Sequence, residues 1–111
     1  MECREQIVGD SVMRVLLSGR MTFNDHIEMK RITRYVIAER MRHVFVDLSD
    51  LNFIDSAAIG MFLILNDELR GVHGTMILEK PQGQVARVLS VAKIHDLIAM
   101  PHHFIDHTAA D

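Results

Sequence analysis

The chain has 111 residues and a formal net charge of -3, and 49% of it is apolar while only 5% is aromatic. That length suits one domain, expected over residues 1–111, whose single core needs no disulfide or metal to hold it. The acidic balance, with no basic stretch interleaved with aromatics, excludes a nucleic-acid footprint, and no apolar run approaches the ~20 residues of a membrane span. The opening residues, MECREQIV, have neither the basic start nor the apolar core of a secretory signal, so a cytoplasmic location is expected. Cys3 is the one cysteine. It can form no internal disulfide, and without a nearby base it reads as an ordinary thiol in or beside the first strand.

Residues 3–8 and 11–18 read as two strands joined at Gly9-Asp10, and so short a link favours an antiparallel hairpin. Gly19 ends the second strand. Thr22 followed three residues later by Asp25 makes a capping box with Asp in place of Glu, opening a helix from about Phe23 to Arg40. On it Met29, Ile32 and Val36 share one face while Lys30, Arg31 and Arg34 share the other. The basic cluster of Arg31, Arg34, Arg40 and Arg42 is therefore read as the solvated side of an amphipathic helix.

Val44, Phe45, Val46 and Leu48 form a short run rich in β-branched and aromatic residues, the pattern of a strand buried on both faces of a sheet. Ser49, Asp50 and Asn52 carry side chains that bond to nearby backbone, which predicts that the strand stops there. Asp55-Ser56 then starts a helix, since the side-chain oxygens of Asp and Ser accept bonds from the free N–H groups of a first turn. This helix runs to Arg70 and is closed by Gly71. At about 100° per residue, Ala58, Phe62, Leu65 and Leu69 cluster on its core side, and Gly60, Leu63, Ile64 and Asp67 point elsewhere. Leu63 and Ile64 admit two explanations, burial under a neighbouring helix or exposure to a partner, and burial is favoured.

Residues 75–78 read as the next buried strand, ended by Glu79-Lys80-Pro81, after which Val85, Val88 and Leu89 space a third helix. A last strand is expected over roughly Asp96 to Met100, stopped by Pro101, and HHFIDHTAAD reads as a short terminal helix or a frayed tail. Strands alternating with helices after a hairpin predict an α/β fold, a mixed central β-sheet with helices packed on it, in the order β-β-α-β-α-β-α-β-α.

The string DLSDLNFIDSAAIGMFL resembles the signature of STAS domains, the anti-sigma-factor antagonist family, in which a strand ending in Asp-Leu-Ser leads into an Asp-Ser turn and a helix. Element order and Leu17-Ser18-Gly19-Arg20 extend the resemblance more weakly over the rest of the chain. It implies the same element order, one STAS-like domain, and a Ser that in phosphoregulated members is modified by a partner kinase; Ser56 occupies that position. Two departures stand out: Ala57-Ala58 where many members have Ser/Thr-Gly, and Thr22 where many have Asp.

Other chemistry is less well supported by the residues. His102, His103 and His107 do not share one helical face and have no Cys to complete a zinc set. Asp47, Asp50 and Asp55 are chemically suited to Mg²⁺, but turn and capping roles explain them, so neither metal nor other cofactor is expected. An aspartyl-phosphate receiver would need further acidic groups after the first strand, where only Asp10 stands, and no Gly-x-Ser-x-Gly surrounds Ser56. The eight Met residues read as core filling. The expectation is a non-enzymatic regulator. Its partners are an anti-sigma factor or serine kinase and a cognate phosphatase; Ser56 is the phosphorylation site; and Asp55, Ser56, Ala57, Gly60, Leu63 and Ile64 are the docking residues. The alternative is a constitutive STAS subunit of a transporter or sensory complex in which Ser56 only caps a helix.

Overall fold

Alternation of Met13, Val15 and Leu17 gives a strand one apolar side. In the computed structural model, which describes residues 1–101, that strand is β2 (Val12–Met21), with those side chains buried. It pairs antiparallel with β1 (Glu2–Gly9) through a turn at Asp10 and Ser11, one position later than the sequence predicts, because Ser11 adopts the left-handed conformation (φ 59°) of a tight hairpin. Thr22 and Asp25 form the reciprocal cap, but it opens a single 3-10 turn, Phe23–Asp25, and α1 (His26–Ala38) begins after it. Met29, Ile32 and Val36 face the core as their spacing predicts. Thr33 joins them, its hydroxyl donating to the Met29 carbonyl at 2.9 Å.

Strand β3 (His43–Ile54) continues through the polar segment where a turn is predicted. Ser49 does bond locally, its N–H and hydroxyl both donating to Asp47 Oδ1 at 2.9 and 2.7 Å. The outcome is a bulge instead of an end: the register against β2 slips between Leu16 and Ser18 and again between Gly19 and Arg20. Buried positions accordingly shift from Val44, Val46 and Leu48 to Leu51 and Ile54. Nor is the strand buried on both faces, since Phe45 and Asp47 on the opposite side are only half-buried.

After β3 come α2 (Ser56–Gly71), β4 (Thr75–Glu79) and α3 (Gly83–Val91). The sheet order is β1-β2-β3-β4, with β2, β3 and β4 mutually parallel. Two right-handed crossovers stepping the same way along a sheet put their helices side by side on one face, and α1 packs against α2. Beneath them lies one apolar core containing Phe62, Leu65 and Leu69 from α2 and Ile32 and Val36 from α1.

The exit from α2 differs from the expected glycine cap. Gly71 is still helical, and the left-handed residue is His73 (φ 61°). Gly74 is required for space instead, because a Cβ there would sit 2.8 Å from the Arg42 carbonyl oxygen. The predicted last strand shrinks to one bridge, Ala99 beside Ile77, with the Leu78 N–H donating to the Ala99 carbonyl at 2.9 Å. Residues Ile94–Asp96 are wound into a 3-10 turn entered through Lys93 in the left-handed conformation, which leaves little extended chain to pair. Four strands and three helices thus make one α/β domain among the described residues. The terminal-helix reading, with His102, His103 and His107, falls outside them.

Candidate docking site at the start of α2

The site is built where β3 hands over to α2. Strand β4 pairs with β3 only as far as Asp47, so the second half of β3 has no strand neighbour on that side. Side chains near the start of α3 take over. Gln84 accepts the Ile54 N–H at 3.0 Å and donates to the Ile54 carbonyl at 2.9 Å, copying a ladder pair, and Gln82 donates to the Ser49 carbonyl. The backbone is therefore fixed up to the residue before the cap.

Asp55 is that cap. One carboxylate oxygen accepts the Ala58 N–H at 3.0 Å and the other accepts the Phe23 N–H, also at 3.0 Å. A single side chain thus ends one orphan donor of α2 and pins the entry to α1 against it. Asp55→Ala is expected to cost about 2 kcal/mol, a lost cap plus an unpaired loop N–H, measured as a lower midpoint in urea unfolding. Ser56, immediately after, is the first helical residue and is exposed. With Ala58 served by Asp55, the N–H groups of Ser56 and Ala57 remain without intrahelical acceptors, at the positive end of the helix dipole.

Of the other expected docking residues, Ala57, Gly60 and Leu63 are half-buried. Ile64 is 61% exposed, which corrects the preference for burial: together with Met61 it lines an open groove between α1 and α2 that no neighbouring helix fills. Two further exposed apolar residues that the sequence reading did not single out stand close by, Phe23 at 63% and Ile27 at 71%. Phe23 joins the site because its N–H is held by Asp55, a contact between residues 32 apart that no local pattern announces. The site is an apolar surface surrounding one exposed hydroxyl, with Asp55 locked in place beside it.

A family model for the STAS domain matches residues 6–110. The chain belongs to the STAS domain family. A STAS-domain containing protein of Pseudomonas aeruginosa is 27% identical over 85 residues, covering 77% of this chain and 83% of its own. Among solved structures, an anti-sigma factor antagonist from Mycobacterium paratuberculosis superposes with a TM-score of 0.78 at 16% identity, over 98% of this chain and 92% of that one. The Bacillus cell fate determinant SpoIIAA in its phosphorylated form superposes at 0.70 with 18% identity, over 96% and 99% of the two chains. The murine anion transporter Slc26a9 superposes at 0.61 with 16% identity, over 91% of this chain and 18% of the transporter. These likenesses establish the STAS fold.

The three carboxylates that the sequence offers to Mg²⁺ do not converge on one point. Asp50 is exposed, Asp55 caps α2, and Asp47 lies on the uncovered face of the sheet, 4.0 Å from Arg14, which also reaches Glu79 at 2.9 Å and lies over the Phe45 ring. Burial alone would raise the Asp47 pKa, but the Ser49 hydroxyl and N–H, with Lys80 and Arg14 nearby, outweigh it and hold the carboxyl below its usual range. Among the described residues no three His, Cys, Asp or Glu are grouped as ligands for a metal ion, and no helix is long and apolar enough to cross a membrane.

Cys3 is half-buried in β1, and burial first, then the carboxylates of Glu5 and Glu28, push its thiol up to about 12 against a smaller opposing effect of Arg31. So little thiolate exists near neutral pH that alkylation by iodoacetamide at pH 8 is expected to be at least roughly tenfold slower in the folded protein than in urea, read by mass spectrometry.

Proposed function

We propose that this STAS domain is a phosphorylation-switched anti-sigma-factor antagonist. It binds an anti-sigma factor or switch kinase while Ser56 is unmodified and releases it when Ser56 carries a phosphate; a cognate phosphatase restores binding. The observation that carries this reading is an exposed hydroxyl at the first position of α2, bordered by apolar surface and by a carboxylate that its own cap bonds immobilise. A phosphoryl group there adds about -1.5 to -2 charges and three acceptor oxygens. The helix end tolerates it, because free amides and the dipole favour an anion, so the fold stays intact while the docking surface becomes hydrated and strongly negative.

A second reading is a constitutive STAS subunit of a transporter or sensory complex. It is favoured by the likeness to part of the anion transporter chain and by Ala57-Ala58 standing in the turn. Phosphopeptide mass spectrometry of protein taken from growing cells separates the two. Phosphate on Ser56 supports the switch. A Ser56 peptide recovered only unmodified, under conditions in which the partner both binds and releases, supports the constitutive subunit.

A further inference from the structure

The helical face of the domain carries its free charges in two rows of opposite sign. Lys30 and Arg34 stand on α1, Asp67 and Glu68 on α2; all four are exposed, and none has an ion-pair partner among the described residues. The other charged groups of the two helices are spent or turned away. Arg31 is held by Glu28 and Glu5, and Arg70 lines a depression on the far flank of α2 with Thr75 and Ala99. Exposed Ile27 and Ile64 accompany the rows, with a groove of about 210 Å³ between the helices floored by Met29 and Met61. Gly60, where a Cβ would meet nothing within 4 Å, leaves a shallow place on α2. A face that is positive along one helix and negative along the next has no net sign to offer a partner, but it is complementary to itself.

The levels of the two rows decide how two such faces can meet. Strands β2, β3 and β4 are parallel, so α1 and α2, which return the chain between them, both run against the sheet and parallel to each other. The bond from the Phe23 N–H to Asp55 marks a common level. Counting up both helices at about 1.5 Å per residue, Ile27 comes level with Ile59, beside Gly60, and Arg34 comes level with Asn66, within ~3 Å along the axis of Asp67 and Glu68. A two-fold axis across the helices would lay α1 on α1 and set Lys30 and Arg34 against their own equivalents. An axis along the helices lays α1 of one copy on α2 of the other at unchanged levels. That brings the basic row to the acidic row twice, and seats Ile27 against Gly60 and Ile64 twice.

We propose that this face joins two copies of the chain into a two-fold dimer, α1 of each packed on α2 of the other. A partner helix of either sign would satisfy one row and be repelled by the other, and an anionic lipid surface likewise favours only the basic row. A second copy satisfies both. The contact covers Gly60, Leu63 and Ile64, so self-association competes with the docking proposed above, and it does not require that Ser56 be modified.

Sedimentation equilibrium of the full chain from about 10 µM to about 0.5 mM is expected to show a monomer–dimer equilibrium that weakens as salt is raised. Lys30→Glu with Arg34→Glu makes both rows acidic, and Asp67→Lys with Glu68→Lys makes both basic; each pair of changes is expected to weaken self-association at least roughly tenfold. An equimolar mixture of the two variants is expected to recover the wild-type affinity within about threefold, because the acidic copy then meets the basic one at both contacts, and so is a chain carrying all four changes. The four positions are exposed, and circular dichroism checks that each variant keeps the fold. A chain that stays monomeric throughout, which would leave the face to a different partner, overturns the proposal. So do single-row variants that pair like the wild type, or a mixture that stays monomeric. If the chain is monomeric while Ser56→Asp still releases a protein partner, the dimer is wrong and the switch stands. If the mixture recovers pairing while Ser56→Asp releases nothing, the reverse holds.

Discussion

Ser56→Asp is expected to weaken binding of the protein partner by roughly tenfold or more while leaving the thermal unfolding midpoint unchanged or slightly raised. The two halves of that result have separate origins. An added carboxylate at the first position of α2 meets unbonded amides and the positive end of the helix dipole, which favours the folded state by about 0.3–1 kcal/mol. On the docking side, the same charge sits against apolar surface that a partner must dehydrate, and an unpaired ion left in an interface is costly. Asp55 cannot swing away to relieve it, because both its oxygens are held by the Ala58 and Phe23 N–H groups. Ser56→Ala removes only a hydroxyl and is expected to bind like the unmodified protein. Isothermal titration of the three proteins with a partner recovered on the wild type decides the matter. Identical affinities for all three would sink the electrostatic switch.

The start of α2 is legible from sequence because its chemistry is local. Asp before Ser before an apolar run is a capping signal at a spacing of three residues, and the structure forms that cap. The inner side of α2 is legible for a similar reason, since Ala58, Phe62, Leu65 and Leu69 follow from helical period alone. Period fails where a helix is covered from more than one direction. Met61 is buried where α1 meets α2, and Asn66 is buried because its amide donates to the Leu97 carbonyl at 3.2 Å, a contact made by a segment about thirty residues later.

Strand β3 shows the opposite failure. Its polar residues carry an honest local signal, and Ser49 does bond back to Asp47, yet pairing with β2 outweighs the turn preference and converts it into a bulge. Gln82 and Gln84 give no signal at all. Nothing in a sequence marks a side-chain amide as the substitute for a missing strand, and that substitution is what delivers Asp55 and Ser56 to a fixed place.

Phe62→Ala and Ile64→Ala, two residues apart on one helix, are expected to have opposite consequences. Phe62 is fully buried in the core. Its truncation removes a large apolar side chain and leaves a cavity, at a cost of about 3–5 kcal/mol. A domain of this size is stable by about 5–15 kcal/mol in total, so the variant is expected to lose a large share of its stability, seen as a sharp fall in urea midpoint. Ile64 is 61% exposed, and its truncation is expected to change stability by less than about 0.5 kcal/mol. The same change takes a branched side chain off the exposed side of α2 and is expected to lower partner affinity by roughly fivefold to thirtyfold, the range for losing one well-placed apolar contact. Such a split means that α2 keeps its structural and docking duties on separate sides. If Ile64→Ala instead destabilises the fold as Phe62→Ala does, then Ile64 belongs to the core in solution and the surface described here is not available to a partner.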